Sequence, residues 1–176
     1  MTNQKYSFFG WPAVWKSYGW RSFFKDSIIP FIISAILCYL IAQKEPLEIY
    51  QHLLHLVGLG VSIVPAMVAL ILAAYTFILA FIMGDKIAEI KKKEEGQILI
   101  KNLNSSFAAC LFVTTTSMVV LIIVSCISNL ELKFDFSVGI NLSAYFIISY
   151  LLFYSVIILF GVIIDVFDSG QTTLLN

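Results

Sequence analysis

The chain has 176 residues, 60 % of them hydrophobic, and its eleven basic residues balance eleven acidic ones. With a mean hydropathy of +0.92, this make-up excludes an ordinary soluble domain. No segment outside the apolar runs is long enough to bury a soluble core, so residues 1–176 read as one domain in lipid.

Residues 1–26 hold all three tryptophans, Trp11, Trp15 and Trp20, among Lys5, Lys16, Arg21 and Lys25. Pro12 suits a first helical turn. From there Trp11, Trp15 and Tyr18 share one face at i, i+4, i+7 spacing. Aromatic rings interleaved with cations suit the headgroup region. The segment is either an anchor for the first span or an amphipathic docking helix. No small-residue cleavage site follows it, so a cleaved signal peptide is not expected. Leu37 is too large to precede a lipidated Cys38, so lipidation is not expected either.

Four stretches carry no Lys, Arg, Asp or Glu: Ile28 to Ala42, Leu56 to Gly84, Phe107 to Ile127 and Leu142 to Ile164. Crossing a bilayer takes about 20 apolar residues. The last three runs meet that length, and Phe23 and Phe24 extend the first across Lys25 and Asp26. The sequence therefore predicts an all-α integral membrane four-helix bundle, with spans at about 23–42, 56–84, 107–127 and 142–164.

Gln43 to Pro46 reads as a turn, and Leu47, Tyr50, Leu54 and Val57 predict a short surface helix leading into span two, with a bend at Gly58 and Gly60. Glu48, His52 and His55 could form a three-ligand face, although interfacial histidines are far commoner than metal sites. Span two carries small residues at Ser62, Ala66, Ala69, Ala73, Thr76 and Ala80. Alternating steps of four and three put them on one seam, and small residues let helices approach closely in lipid. The seam's partner is either another span or another copy of the chain.

Span two continues into a charged cytoplasmic helical connector from Asp85, with Lys91, Lys92 and Lys93, which Gly96 is expected to end. Asn102 to Ser106 then opens span three. There Ser106, Cys110, Thr114, Ser117, Ser125 and Ser128 make a polar stripe interrupted by Leu121. It reads as a hydroxyl-lined path, as interhelical hydrogen bonding, or as hydroxyls bonded to their own helix. The loop Ser128 to Ile140 alternates apolar residues like a hairpin or extended lip. Tyr145, Tyr150 and Tyr154 in span four need partners at depth, which span three's hydroxyls could supply. Asp165 and Asp168 sit at a helix C-terminus, where acids are unfavourable, and the Lys86 to Lys101 segment could compensate them.

Cys38, Cys110 and Cys126 all fall within spans and show no metal or disulfide spacing. No charge falls near the middle of a span, which disfavours a proton-coupled carrier. No cluster of nucleophile and base appears, no metal or other cofactor is implied, and an enzyme is not expected. No nucleotide fingerprint or nucleic-acid module occurs, and the lysine run is mixed in sign, so direct nucleic-acid binding is not expected.

The aromatic-basic N-terminus, the span from Val64-Pro65-Ala66 through Ala73-Ala74-Tyr75 to Gly84-Asp85, and the charged helix Lys86 to Glu95 give this chain a recognisable layout. It resembles the small four-span membrane proteins of bacterial phage-defence operons, such as the membrane subunit of the Kiwa system. The resemblance implies antiviral defence, homo-oligomers in the inner membrane and a cytoplasmic protein partner. It supplies no catalytic residue. The expected docking surface combines Trp11 and Trp15 with Lys91, Lys92 and Lys93. The runner-up functions are a pore-forming, depolarising effector and a small carrier.

Nine basic residues flank one side of the spans and two, Lys44 and Lys133, the other. The positive-inside rule then puts both termini and the connector in the cytoplasm of a bacterium. Reporter fusions at Asn176 and Gly139 should report cytoplasm and periplasm respectively. A periplasmic signal from Asn176 would overturn this topology.

Overall fold

The computed structural model describes residues 18–82, 94–128 and 137–174. Those residues form four helices: α1 (Trp20–Ile41), α2 (Pro46–Ile82), α3 (Glu94–Ser128) and α4 (Val138–Leu174). Each is long and apolar enough to cross a membrane, and together they make an all-α bundle of a multi-pass membrane protein. No strand occurs among the described residues. At 1.5 Å per residue the 22 residues of α1 reach about 33 Å, enough for one crossing. The 37 residues of α2 and of α4 reach about 55 Å and outrun the hydrocarbon.

Helix α4 is the shared spine. It packs against α1, α2 and α3, and α2 also packs against α3. The first helix is an addition to α4's outer side, with only Pro30 and Ser34 buried. Gly19 starts it. At φ +87° the residue adopts a backbone that L side chains avoid, and this separates Tyr18 from the first turn of α1. Aromatic contacts dominate the α1–α4 seam. Phe23 meets Tyr154 edge-on at 5.5 Å and Phe31 meets Phe146 edge-on at 5.5 Å, while the Ser27 and Tyr150 hydroxyls bond at 2.7 Å between them. Such ring pairs add about 0.5–1.5 kcal/mol each beyond their area.

Two apolar layers fill the core. One, around Ile71, Phe107, Cys110, Tyr154 and Ile158, lies toward the end where α1 and α3 begin, here called the basic end after Arg21, Lys25 and Lys101. The other, around Leu53, Val57, Val64, Leu121 and Ile148, lies toward the opposite end. Between them Ser117 and Ser155 meet in a buried hydroxyl layer.

Several boundaries differ from the sequence expectations. The surface helix before span two is the first part of α2, because Ile49, Leu53 and Val57 continue the buried line of Val64, Met67 and Ile71. Glycines 58 and 60 lie inside this continuous helix. Gly96 does not end a helix; it is buried in the first turn of α3, and Asn102 to Ser106 lies well inside that helix. The possible hairpin over 129–136 falls outside the described residues, and the chain is helical again by Val138.

Gly60 allows a close α2–α3 approach: a Cβ there would sit 2.7 Å from Leu121 Cδ2, and Leu121 is itself buried. Gly60→Val should therefore destabilise the bundle by about 1–3 kcal/mol, read by thermal unfolding in detergent. Adding Leu121→Ala should return part of that loss, giving a favourable coupling in the double-mutant cycle. Gly58→Ala, with nothing within 4 Å of the new methyl, should leave melting unchanged or raise it.

Candidate functional site

The small-residue seam does not face the other helices of the chain. Ser62, Ala66, Ala69, Ala73 and Thr76 are all exposed, whereas Val57, Gly60, Val64, Met67 and Ile71 form the buried face. Of the two partners the sequence leaves open, another span of the same chain does not cover these five residues. Ser62 donates to the Leu59 carbonyl and Thr76 to the Leu72 carbonyl, each at 2.8 Å, so neither hydroxyl needs a neighbour. The Ala80 side chain lies outside the described residues.

The polar stripe of α3 points the other way. Cys110, Thr114 and Ser117 are buried against the bundle. Thr114 donates to the Cys110 carbonyl at 2.6 Å and Ser117 to the Val113 carbonyl at 2.9 Å. Ser117 also meets the Ser155 hydroxyl of α4 at 2.9 Å. From Cys110 to Ser117 the stripe is thus an internal seam with its hydroxyls bonded, while Ser106 at its start bonds Asp165 of α4. Ser125 is half-buried. Two of the α4 tyrosines do not use it: Tyr150 bonds Ser27 of α1, and the buried Tyr154 hydroxyl has no partner among the described residues.

His52 and His55 are exposed, and no group of three or more His, Cys, Asp or Glu stands ready to hold a metal among the described residues. Glu48 instead pairs with Lys44 at 3.7 Å, one turn earlier. The docking residues Trp11, Trp15, Lys91, Lys92 and Lys93 lie outside the described residues.

A polar crevice of about 390 Å³ lies at the basic end, where α1 and α3 begin and α4 nears its finish. Tyr18, Ser22 and Asp26 line it from the start of the chain, Asn102, Ser105 and Ser106 from α3, and Ile158, Gly161, Val162 and Asp165 from α4. Asp26 lies in the second turn of α1, inside the span, and faces this crevice. The span expected at about 23–42 already includes Asp26, but the sequence gives no sign of which face of the helix it takes. Pro30, four residues on, has no N–H to return to the Asp26 carbonyl, and this is the local signal that the turn differs. Asp165 accepts from Ser106 at 2.7 Å, a partner on α3 and not in the lysine-rich connector. The Asp168 side chain lies outside the described residues.

Tyr18 donates its phenol hydrogen to Asp26 Oδ2. Burial first, then this hydrogen bond to a carboxylate, pushes the Tyr18 phenol well above its ordinary value. The phenol is therefore held protonated, as a donor to Asp26.

Comparison with family models, curated proteins and solved structures finds no match. What the chain does must be argued from these arrangements.

Removing the Tyr18 hydroxyl by Tyr18→Phe should lower stability by about 1 kcal/mol, the net worth of such a bond. Its pH dependence has a defined sign. The folded-state pKa lies above the unfolded phenol's 10.0, so the stabilisation is complete below about pH 10 and is lost as pH climbs through the folded value. Unfolding curves of wild type and Tyr18→Phe should run parallel at neutral pH and converge in the alkaline range. Curves that stay parallel at every pH would remove this role from Tyr18.

Proposed function

We propose that this chain is a non-enzymatic, self-associating protein of the bacterial inner membrane that couples a membrane event to a cytoplasmic partner, in the antiphage setting its sequence layout implies. The observation that carries the reading is the outward-facing seam of α2. Its five described members are exposed, while bulkier residues of the same helix fill the chain's own core. Helices associate in lipid through close packing, because the tails are as apolar as leucine, and small side chains permit it. A second copy is the partner of choice for a seam the first copy leaves uncovered. The cytoplasmic partner would dock on the aromatic N-terminal segment and the lysine connector, which supply the remaining polar surface on that side.

This reading is preferred to a pore or a small carrier. A conduit along a single chain would use Thr114 and Ser117, but the buried Thr114 hydroxyl is bonded to its own helix and that of Ser117 to Val113 and Ser155. A pore formed between copies would need a polar seam, and the α2 seam is mostly alanine.

Ala73→Leu should weaken self-association by about 1–3 kcal/mol, since overpacking a close contact costs that much. Native mass spectrometry of the protein released from nanodiscs reads the change, with melting of the monomer as control. An unchanged oligomer distribution would mean that the seam faces lipid. Charge reversal at Lys91, Lys92 and Lys93 should abolish capture of the cytoplasmic partner while insertion is retained. A fall in membrane potential on expression, read by dye, that survives both sets of changes would favour the pore.

A further inference from the structure

We propose that the lipid-facing start of α1 binds the phosphate of an anionic phospholipid in the leaflet at the basic end, through Arg21 and Lys25. The site depends neither on the coupling function nor on self-association.

The first two turns of α1 are divided by face. Phe23 and Ser27 turn to α4, and Asp26 turns to the crevice, where Tyr18 bonds it. Trp20, Arg21, Phe24 and Lys25 are all exposed on the opposite side. Rings and cations alternate there at i, i+4 spacing, Trp20 with Phe24 and Arg21 with Lys25. Neither cation forms an ion pair or hydrogen bond with any described residue. The acid next to Lys25 is Asp26, which the helix carries on its other side. The outer face of α1 therefore presents two positive charges that no described residue neutralises.

Depth makes this charge costly and points to what offsets it. Phe23, Ser27 and Phe31 meet Tyr154, Tyr150 and Phe146 in turn, so Arg21 and Lys25 stand beside the stretch of α4 around Val156 and Leu152. The outer side of α4 stays apolar well past that height. Val156, Phe160, Ile163 and Ile164 are exposed, and the first acid beyond them is Asp165. Along α4, Arg21 thus begins roughly 13 Å short of Asp165, and Lys25 roughly 20 Å short. Extension of the side-chain stems toward the interface recovers only part of that distance. Local thinning of the bilayer is the other way a membrane accommodates such charges. A headgroup drawn down to α1 supplies the thinning and the counter-charge together.

The chemistry of the patch selects the headgroup. A guanidinium pairs bidentately with phosphate, and the ammonium one turn along adds a second charge. Two cations favour a lipid of net negative charge over a zwitterionic one, whose own cation competes with them. Trp20 supplies the amphipathic ring typical of headgroup level. Below it, exposed Phe24, Ile28 and Ile32 continue the same face toward the bilayer interior, where acyl chains lie. A free phosphate ion leaves those apolar groups unused, so the phosphate belongs to a lipid.

The test uses the full chain in nanodiscs holding phosphatidylcholine and phosphatidylglycerol in equal amounts. Native mass spectrometry counts which lipid stays bound on release. Wild type should retain phosphatidylglycerol in preference, and rising salt should erode that preference, since exposed charges are screened. Arg21→Gln combined with Lys25→Gln should lower the preference by about tenfold or more. The charge-keeping pair Arg21→Lys and Lys25→Arg should preserve most of it. Lys44→Gln removes a cation already paired with Glu48 and should leave it unchanged. Inorganic phosphate added to discs of phosphatidylcholine alone should not raise the melting temperature. Equal retention of the two lipids by wild type would overturn the proposal. So would an unchanged preference in the neutral double variant, or stabilisation by inorganic phosphate equal to that by phosphatidylglycerol. Should the double variant fail to fold, Lys25→Gln alone and the salt series on wild type decide by the same criteria.

Discussion

Polar groups that enter a bilayer must find partners inside the protein, since the lipid offers none. The interior of this bundle is organised by that constraint. Thr114, Ser117, Ser149 and Ser155 are buried, while Phe24, Ile28, Phe31 and Ile36 face outward. In water this arrangement would be backwards. In lipid the large apolar side chains lose nothing outside, and the hydroxyls gain a carbonyl one turn back or another hydroxyl across the contact. Each of these bonds is worth only about 0.6 kcal/mol on average in membranes. Their larger effect is on register: the Ser117–Ser155 contact fixes the relative height of α3 and α4, and the Ser27–Tyr150 contact does the same for α1 and α4.

Because α4 meets each of the other helices, its faces divide the work. Toward α3 it offers small hydroxyls, and toward α1 it offers a column of rings, Phe146, Tyr150 and Tyr154, stacked along one side. Small residues permit close approach and rings fill wider gaps. The α2–α3 contact follows the first pattern at Gly60, where Leu121 occupies the space a side chain would have taken. Thus the core helices α2, α3 and α4 interlock, whereas α1 adheres through ring edges and two hydrogen-bonding side chains.

The number of helices and their membrane character were legible in the sequence, because charge-free runs of sufficient length leave few alternatives. Which face of each helix turns inward was not. In a soluble helix polarity sorts the faces, but in lipid both faces of α2 are apolar, and side-chain size alone does not decide between the protein and the tails. The line Ile49, Leu53, Val57 had helical spacing in plain view. This stretch read as a surface helix because Gln43 to Pro46 marks a turn and Leu47, Tyr50 and Leu54 outline a different face, on which Leu47 and Leu54 are exposed. Gly96 read as a stop because glycine often closes a helix; here it is buried in the first turn of α3. The crevice was the least legible feature. Its parts come from residues near 18–26, 102–106 and 158–165, and only the antiparallel docking of α1 on α4 brings them together.

The weakness of α1 and the chemistry at its start are linked. Most of its length faces lipid, Pro30 withholds one backbone donor, and the buried Ser34 hydroxyl has no partner among the described residues. A helix with so few bonded contacts depends on its ends for position. At the opposite end the Cys38 thiol reaches the Leu142 carbonyl at 3.7 Å, a weak bond. At the basic end Tyr18 and Asp26 form a charge-assisted pair beside Asp165, and Phe23 packs on Tyr154. At the basic end the contact that ties α1 to α4 is therefore Phe23 on Tyr154, where the ring column begins. The exposed seam of α2 lies on a helix that α1 does not principally contact. Helix α4, packed against α1, α2 and α3, is thus the element that joins the crevice side of the bundle to the seam side.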